Sequence, residues 1–365
     1  MAIDDTTVHD FAVRRDDFKQ SSFFERPLPD LDPGQALLRV DRYALTANNV
    51  SYAAAGDALG YWKFFPAEPG WGRLPCFAFA DVVQSTDSGV CVGERYFGYF
   101  PMSTHLLVTP ERVKGGSFID GTEHRRSLPA AYNRYTEVGA DPFYEERFED
   151  AQMLIKPLFM TSFLIDDFLA ENAFFGARAA IVTSASSKTS IALASQLEHR
   201  SLNVVGLTST RNQAFVESLG LYDEVVTYDA IESLNPDQDS VVIDMAGNVE
   251  VTRRLHEHSR ERLKHHCIVG TTHWENGGHS ADLPGAKPEF FFAPTQIKKR
   301  SADWGPVGLQ TRIGEAWGPF VEGTPSWLTV VRAYGRDGVA ATYDEVILGR
   351  TVPHEGHVLS LWNAP

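Results

Sequence analysis

Cysteine is scarce in this 365-residue chain, and its three copies, Cys76, Cys91 and Cys267, stand far apart with no Cys-x-x-Cys pair. That spacing excludes a cysteine zinc cluster and a disulfide framework, and it predicts reduced thiols. Positive charge is in deficit as well. The 33 Lys and Arg residues against 48 Asp and Glu leave a net charge of −15, which argues against a nucleic-acid backbone or an anionic membrane as a partner. No apolar run is long enough to span a bilayer, and Met1-Ala-Ile-Asp-Asp-Thr6 lacks the basic-then-apolar order of a leader peptide. The expectation is a cytoplasmic protein. There is no internal repeat, and the length exceeds one ordinary core, so two domains are expected.

A last absence falls in the stretch that organises the chain, Ala179-Ala-Ile-Val-Thr-Ser-Ala-Ser-Ser-Lys-Thr-Ser-Ile-Ala-Leu-Ala-Ser-Gln-Leu197. A short apolar run leads into a turn of small residues, and Ile191, Leu193, Ala194 and Leu197 then recur at helical spacing. Strand, tight turn and helix in that order open a dinucleotide-binding βαβ unit, in which the helix N-terminus holds a pyrophosphate. The Gly-x-Gly-x-x-Gly fingerprint of such units is missing. Ser184, Ser186, Ser187, Lys188 and Thr189 stand there instead, small residues whose hydroxyls and ammonium can themselves bind phosphate. The alternative is a strand–turn–helix with no ligand. Ser-Lys-Thr also matches the end of a P-loop, but the glycine cradle and an acidic Mg²⁺ partner are absent, which removes a kinase-like reading.

Residues 35 to 110 read as many short strands punctuated by Gly and Pro, a compact β-rich domain. Pro33-Gly34 precedes Ala36-Leu-Leu-Arg-Val40; Leu45-Thr-Ala-Asn-Asn49, Ala80-Asp-Val-Val83 and Gly93-Glu-Arg95 follow in order. This succession resembles the GroES-like domain of the medium-chain dehydrogenase/reductase superfamily. Thr46-Ala-Asn-Asn-Val50, Tyr99-Phe-Pro-Met102, Ala131-Tyr-Asn-Arg-Tyr135 and Lys156-Pro-Leu-Phe-Met-Thr-Ser162 look like a poorly characterised branch of it. The resemblance implies an α/β chain: a GroES-like β-rich domain over residues 1–150, a Rossmann doubly wound parallel sheet over 151–310, and a return to the catalytic domain over 311–365. Zinc-dependent members carry a cysteine where this chain has Ala47-Asn48-Asn49, and Gly-His-Glu where it has Cys76-Phe-Ala-Phe-Ala80. The expectation is therefore no metal, as in the quinone-reductase-like and enoyl-reductase-like members. A homodimer is implied by the same resemblance, with residues 280 to 310 in the contact.

The nucleotide half can be read further. Residues 150 to 176 have a helical pattern with Asp166 and Asp167 on its polar side, and the resemblance makes Thr161 a neighbour of the nicotinamide. Leu202–Thr208 reads as a second buried strand ending in Ser209-Thr-Arg211-Asn212, with no acid to grip a ribose 2′-hydroxyl. Ser209, Arg211 and Asn212 there suit a 2′-phosphate, which predicts NADP(H) over NAD(H); the alternative for Arg211 is a surface residue in a helix's first turn. The resemblance adds Tyr228 beside that phosphate. Fourth and fifth strands end in Ala246-Gly247-Asn248 and Val269-Gly270-Thr271-Thr272, which the carboxyl-end rule places at the nicotinamide. His265-His266 and His256-x-His258 read as a charged helix face rather than ligands, with His273 open to the cofactor side. A helix is expected around Trp327 to Tyr334.

For chemistry, a zinc-free reductase of a small molecule needs a proton donor and an orienting group. Tyr52 is the first candidate donor, Asn49 the anchor for substrate or nicotinamide amide, and Tyr61 and Tyr132 the alternatives. The aromatic run Tyr61, Trp62, Phe64, Phe65 and Trp71 either packs on the β domain or walls an apolar pocket. The 115–150 insertion, which carries Tyr132, Asn133 and Tyr135, has no role assigned to it as a whole. The competing function class is a binding or scaffold protein that kept the dehydrogenase fold and lost the chemistry.

Overall fold

The computed structural model of the chain describes residues 6–269 and 283–364. These residues fall into two compact units, one running to Leu154 and resuming at Leu328, the other Ile155–Trp327. The first unit begins with a hairpin of β1 (Thr7–Arg14) and β2 (Ser21–Pro27). β3 (Ala36–Leu45) follows, then helix α1 (Ala47–Ala54), the short β4 (Trp71–Gly72), which pairs with β1, and β5 (Pro75–Ser85). β6 (Arg95–Pro101), β7 (His105–Val108), β8 (Pro110–Lys114), β9 (Ser117–Asp120) and β10 (Arg134–Glu137) complete this stretch. β3, β5 and β6 are the antiparallel centre of a nine-stranded sheet, and β10, β9 and β8 extend one side of it. β5 starts on a proline, the position in a strand where a missing donor costs least.

Aromatic rings fill this unit. Trp62, Phe64 and Phe65 are at most 3% exposed and join Tyr99, Phe100, Phe118 and Tyr135 in the core. The run 57–72 is thus a loop folded onto the sheet. Two glycines make room for it: a Cβ at Gly56 or Gly72 would come within 2.1 or 2.4 Å of the Trp62 indole. Gly98 lies inside β6, where the Tyr135 ring covers it and a Cβ would approach that ring to 2.5 Å.

The insertion has a structural centre in Arg125, which is 1% exposed. Its guanidinium donates to Asp120 at 2.8 Å, the Tyr135 hydroxyl at 2.7 Å, Asn133 Oδ1 at 3.0 Å and the Tyr132 carbonyl at 2.9 Å. A buried cation needs a paired anion and filled donors, and this one has both.

α2 (Glu149–Glu171) leads from the first unit into the second. There β11 (Ala179–Val182), α3 (Lys188–Leu197), β12 (Asn203–Thr208), α4 (Gln213–Ser218), β13 (Glu224–Thr227), β14 (Ser240–Asp244), α5 (Val249–Ser259), β15 (Leu263–Ile268) and β16 (Pro288–Phe290) alternate. The six strands are parallel in the order β13-β12-β11-β14-β15-β16. β11 and β14, with neighbours on both sides, are buried at every position, as a sheet covered on both faces requires. The 31-residue helix α6 (Ala293–Gly323) follows, broken at Gly305, whose φ of +75° precedes Pro306.

Two expectations are corrected here. Asp166 is not on a solvated face: it is 6% exposed and holds Arg200 in a two-pronged ion pair at 2.9 and 2.6 Å. Trp327–Tyr334 is not a helix. β17 (Thr329–Tyr334) carries β-branched Thr329, Val330 and Val331 and pairs in parallel with β18 (Glu355–Ser360). The helix comes after it, as α7 (Gly335–Ile347), in a β–α–β crossover that returns the chain to β3.

Candidate functional site

In the β-rich unit, four tyrosines converge. Thr46 caps α1, with Asn49 closing the reciprocal capping box, so the chain turns into helix directly after β3. That places Tyr52, 8% exposed, on the buried side of α1. Its ring centroid lies 4.5 Å from that of Tyr61 and 5.9 Å from that of Tyr99, and Tyr132 lies 4.8 Å from Tyr99 and 6.2 Å from Tyr61. Phe64 and Phe65 pack against Tyr99 from one side and Phe77 from another. The structure therefore brings three sequence-predicted residues, Tyr52, Tyr61 and Tyr132, into one cluster.

Asn49 sits differently from Tyr52. Its Oδ1 accepts from the Thr46 N–H at 2.7 Å and its Nδ2 donates to the Pro75 carbonyl at 2.7 Å, at 4% exposure, so the fold itself uses both ends of the amide. The neighbouring Asn48 reaches the Tyr52 hydroxyl, donating from Nδ2 at 2.7 Å. With that lone pair filled, the Tyr52 proton points onward. Burial lifts the phenols of Tyr52, Tyr61, Tyr99 and Tyr132 above their ordinary 10; at Tyr132 hydrogen bonds from Tyr61 and Tyr52 offset part of the rise. All four are neutral donors at physiological pH. The Tyr99 hydroxyl is buried with no partner in hydrogen-bond geometry among the described residues.

In the parallel-sheet unit, the serine turn after β11 keeps a glycine-like backbone without glycine. Ser184 has φ of +49°, a left-handed conformation that costs an L-residue roughly 1–2 kcal/mol. Side chains lace the turn from three directions. Ser184 N–H donates to the Tyr228 hydroxyl at 2.8 Å, the Tyr222 hydroxyl donates to the Ala185 carbonyl at 2.9 Å, and Asn212 Nδ2 donates to Ser186 Oγ at 3.0 Å. Ser187 caps α3, accepting from Ser190 N at 3.1 Å. Lys188 and Thr189 are the first residues of α3 and half-buried. Tyr222 also covers Gly206, where a Cβ would come within 2.9 Å of its ring.

The end of β12 lies beside this turn through the Asn212–Ser186 bond. Ser209 begins a short 3₁₀ turn, and Arg211 on it is exposed with no side-chain partner among the described residues. A carboxylate does stand near: Thr210 Oγ1 donates to Asp229 Oδ2 at 3.4 Å, brought from the end of β13. At the other strand ends, Ala246 and Gly247 donate their N–H groups to Asp244 Oδ1 at 2.9 and 3.0 Å, and Val269 N–H donates to the Asp244 carbonyl at 2.9 Å. Thr161 Oγ1 on α2 bonds back to the Pro157 carbonyl at 3.3 Å. Gly270, Thr271 and His273 lie outside the described residues. No group of three or more His, Cys, Asp and Glu is arranged to hold a metal among the described residues.

A family profile described as a protein of unknown function, DUF2855, matches residues 43–352. The chain belongs to that family. No curated protein sequence matches it. Among solved structures, CurA from Vibrio vulnificus in complex with NADPH is 11% identical, covers 98% of this chain and 100% of its own, and superposes with a TM-score of 0.66. A putative NADPH:quinone reductase from Mesorhizobium loti, 11% identical, covers 98% and 99% with a TM-score of 0.63. The quinone oxidoreductase from Coxiella burnetii, 14% identical, covers 97% and 99% with a TM-score of 0.56. The fold of this DUF2855 chain is that of these solved structures, a GroES-like β-rich unit and a Rossmann parallel-sheet unit.

Several residues at these sites escape a reading of the sequence. Ser162 is 0% exposed and donates to the Thr189 carbonyl at 2.8 Å, tying α2 to the first turn of α3. Its spacing from Leu158, Ile165 and Leu169 puts a hydroxyl on an apolar stripe, which is a legible signal. Ser190, also 0% exposed, donates to the Thr183 carbonyl at 3.0 Å and fills the close helix–strand contact usually given to glycine. Nothing local marks Tyr99 or Tyr222; long-range packing selects them.

Proposed function

We propose that this chain is an NADPH-dependent oxidoreductase that works without zinc and passes hydride to a carbonyl, quinone or activated alkene of a small organic substrate. The observation that carries the reading is the exposed Arg211 at the end of β12, without a side-chain partner among the described residues, whose neighbour Asn212 is hydrogen-bonded to the turn that opens α3. The first-turn N–H groups of α3, the Lys188 ammonium and the hydroxyls of Ser186, Ser187 and Thr189 suit a pyrophosphate. Ser209, Arg211 and Asn212 suit the 2′-phosphate, and Tyr228 stands at the turn that both sites share. The description of one similar structure as an NADPH complex and of another as an NADPH:quinone reductase supports both the cofactor and the reaction class.

Reduced nicotinamide, when bound, supplies the hydride. The β-rich unit supplies the proton. A phenol of the tyrosine cluster would donate its proton to the substrate oxygen or carbanion and be left as the phenolate, with Tyr132 the candidate because neighbouring Tyr61 and Tyr52 offset part of its rise. Asn48 orients Tyr52, and Phe64, Phe65 and Phe77 exclude water. Among the described residues no helix is long and apolar enough to cross a membrane. The proposal extends to a cytoplasmic homodimer, for which the exposed Phe290 and Phe292 at the edge strand β16 are the support.

A second reading has an observation of its own. The Tyr228 hydroxyl already takes the Ser184 N–H and Asn212 already takes Ser186, as in a turn closed for good by a scaffold protein. Spectrophotometric assay of NADPH oxidation against quinone, enone and aldehyde panels tests the first reading. Acceptor-dependent oxidation with any of the three supports it, and no oxidation with any favours the second.

A further inference from the structure

Asp244 at the end of β14 is 3% exposed, and its carboxylate winds the turn that follows. Oδ1 accepts from Thr183 Oγ1 at 2.8 Å and from the N–H groups of Ala246 and Gly247; Oδ2 accepts from Thr252 Oγ1 at 3.3 Å. A buried carboxylate needs a counter-charge. No Lys or Arg of the described residues lies within ion-pair distance. The one basic group that does is His266 on β15, 1% exposed, with Nε2 3.8 Å from Asp244 Oδ2.

The protons of this contact can be counted along a buried chain. His256 on α5 is 0% exposed, its Nδ1 lies 2.9 Å from the Pro284 carbonyl, and its Nε2 lies 2.7 Å from His266 Nδ1. A carbonyl only accepts, so His256 Nδ1 carries a proton. If both rings are neutral, His256 Nε2 accepts, His266 Nδ1 donates, and His266 Nε2 is a bare lone pair aimed at a carboxylate. The contact between them then holds no proton, and His266 Nε2 has no hydrogen-bond partner among the described residues. One added proton resolves this. Placed on His266 Nε2 it faces Asp244 and leaves every other bond intact. A second added proton would set two N–H groups against each other between the rings. The pair therefore accommodates one extra proton. The other ionisable groups of this strand and its neighbour, Lys264, His265, Cys267 and Glu289, make no hydrogen bond or ion pair to Asp244 or His266; Lys264 pairs with Asp239 instead.

We propose that His256 and His266 hold one shared extra proton as the counter-ion of Asp244, making His266 a positioning residue for the turn Met245–Asn248. The sequence reading of two histidine pairs on a charged helix face is corrected by the same geometry: His256 and His266 are buried and face each other. The link to function rests on the cofactor reading above, which puts this turn at the nicotinamide.

The first test is imidazole ¹⁵N NMR of the full chain at neutral pH, without cofactor. Three protonated ring nitrogens are expected across His256 and His266, falling to two in Asp244→Asn, where the counter-charge is gone; two in the wild type overturns the proposal. The second test is NADPH affinity. His266→Phe is expected to lose tenfold or more, while His266→Gln, whose amide can still donate toward Asp244, stays within a few-fold of wild type. An unchanged affinity in His266→Phe overturns the positioning role. If the wild type binds no NADPH, the function reading falls, and the NMR count still decides the proton.

Discussion

The β-rich unit and the parallel-sheet unit keep their polar groups in place by different means. In the first, four phenols lie among rings, with one amide contact, Asn48 to Tyr52, and one hydroxyl, Tyr99, outside hydrogen-bond geometry with any of the described residues. In the second, the serine turn is bonded from several sides, and two tyrosine hydroxyls and the Ser190 hydroxyl fill space that glycine would leave open. The difference is one of adaptability. A ring cluster with an unmet donor is ready to receive an acceptor atom; a laced turn must exchange a bond it already has before it can hold a phosphate.

The largest expected effect tests what holds the ring cluster. Arg125→Leu leaves Asp120, 1% exposed, without its cation and frees the Tyr132 carbonyl, and should cost about 3–5 kcal/mol of stability. Denaturant melting checks this; a loss under about 1 kcal/mol would show that the insertion does not anchor Tyr132.

Next in size is the proton donor itself. Tyr132→Phe should lower turnover by at least about 100-fold, the low end for a positioned acid, with substrate affinity little changed. Because burial raises these phenols, the donor form persists as pH rises, and no loss from this group is expected up to pH 10. A wild-type rate that falls steeply between about pH 7 and 9 through a group lost in Tyr132→Phe would contradict the assignment.

The smallest effect sharpens the other side of the comparison. Lys188→Ala should weaken NADPH and NADH alike by ~1–3 kcal/mol, since the pyrophosphate is common to both, and added salt should weaken the wild type more than the variant. If both cofactors bind the variant as they bind wild type, the serine turn is closed to phosphate.

Much of the fold was legible because its signals are local. The strand–turn–helix at Ala179–Leu197 and the second buried strand after it follow from periodicity and turn chemistry. Thr329–Tyr334 was misread because six residues with mixed polarity fit either period, and only pairing with β18 decides. Asp166, His256 and His266 were misread for one reason. A polar residue on a helix or strand looks solvated until its partner, here Arg200 or another histidine, is brought in from elsewhere in the chain. Of the tyrosine cluster, Tyr52, Tyr61 and Tyr132 were candidates from the sequence and Tyr99 was not, because β6 carries Tyr99 among other aromatics and nothing local tells a wall from a donor.

The central claim is that the laced turn and the end of β12 together hold a 2′-phosphorylated dinucleotide. Fluorescence titration of the wild type and of Arg211→Ala with NADPH and NADH tests it most directly. The account predicts that wild type prefers NADPH by roughly ten- to a hundredfold, the equivalent of one charge-assisted contact of ~1.5–3 kcal/mol. It also predicts that Arg211→Ala loses most of that preference while its NADH affinity holds. Equal affinities in the wild type would contradict the 2′-phosphate assignment, and no binding of either cofactor would hand the molecule to the scaffold reading.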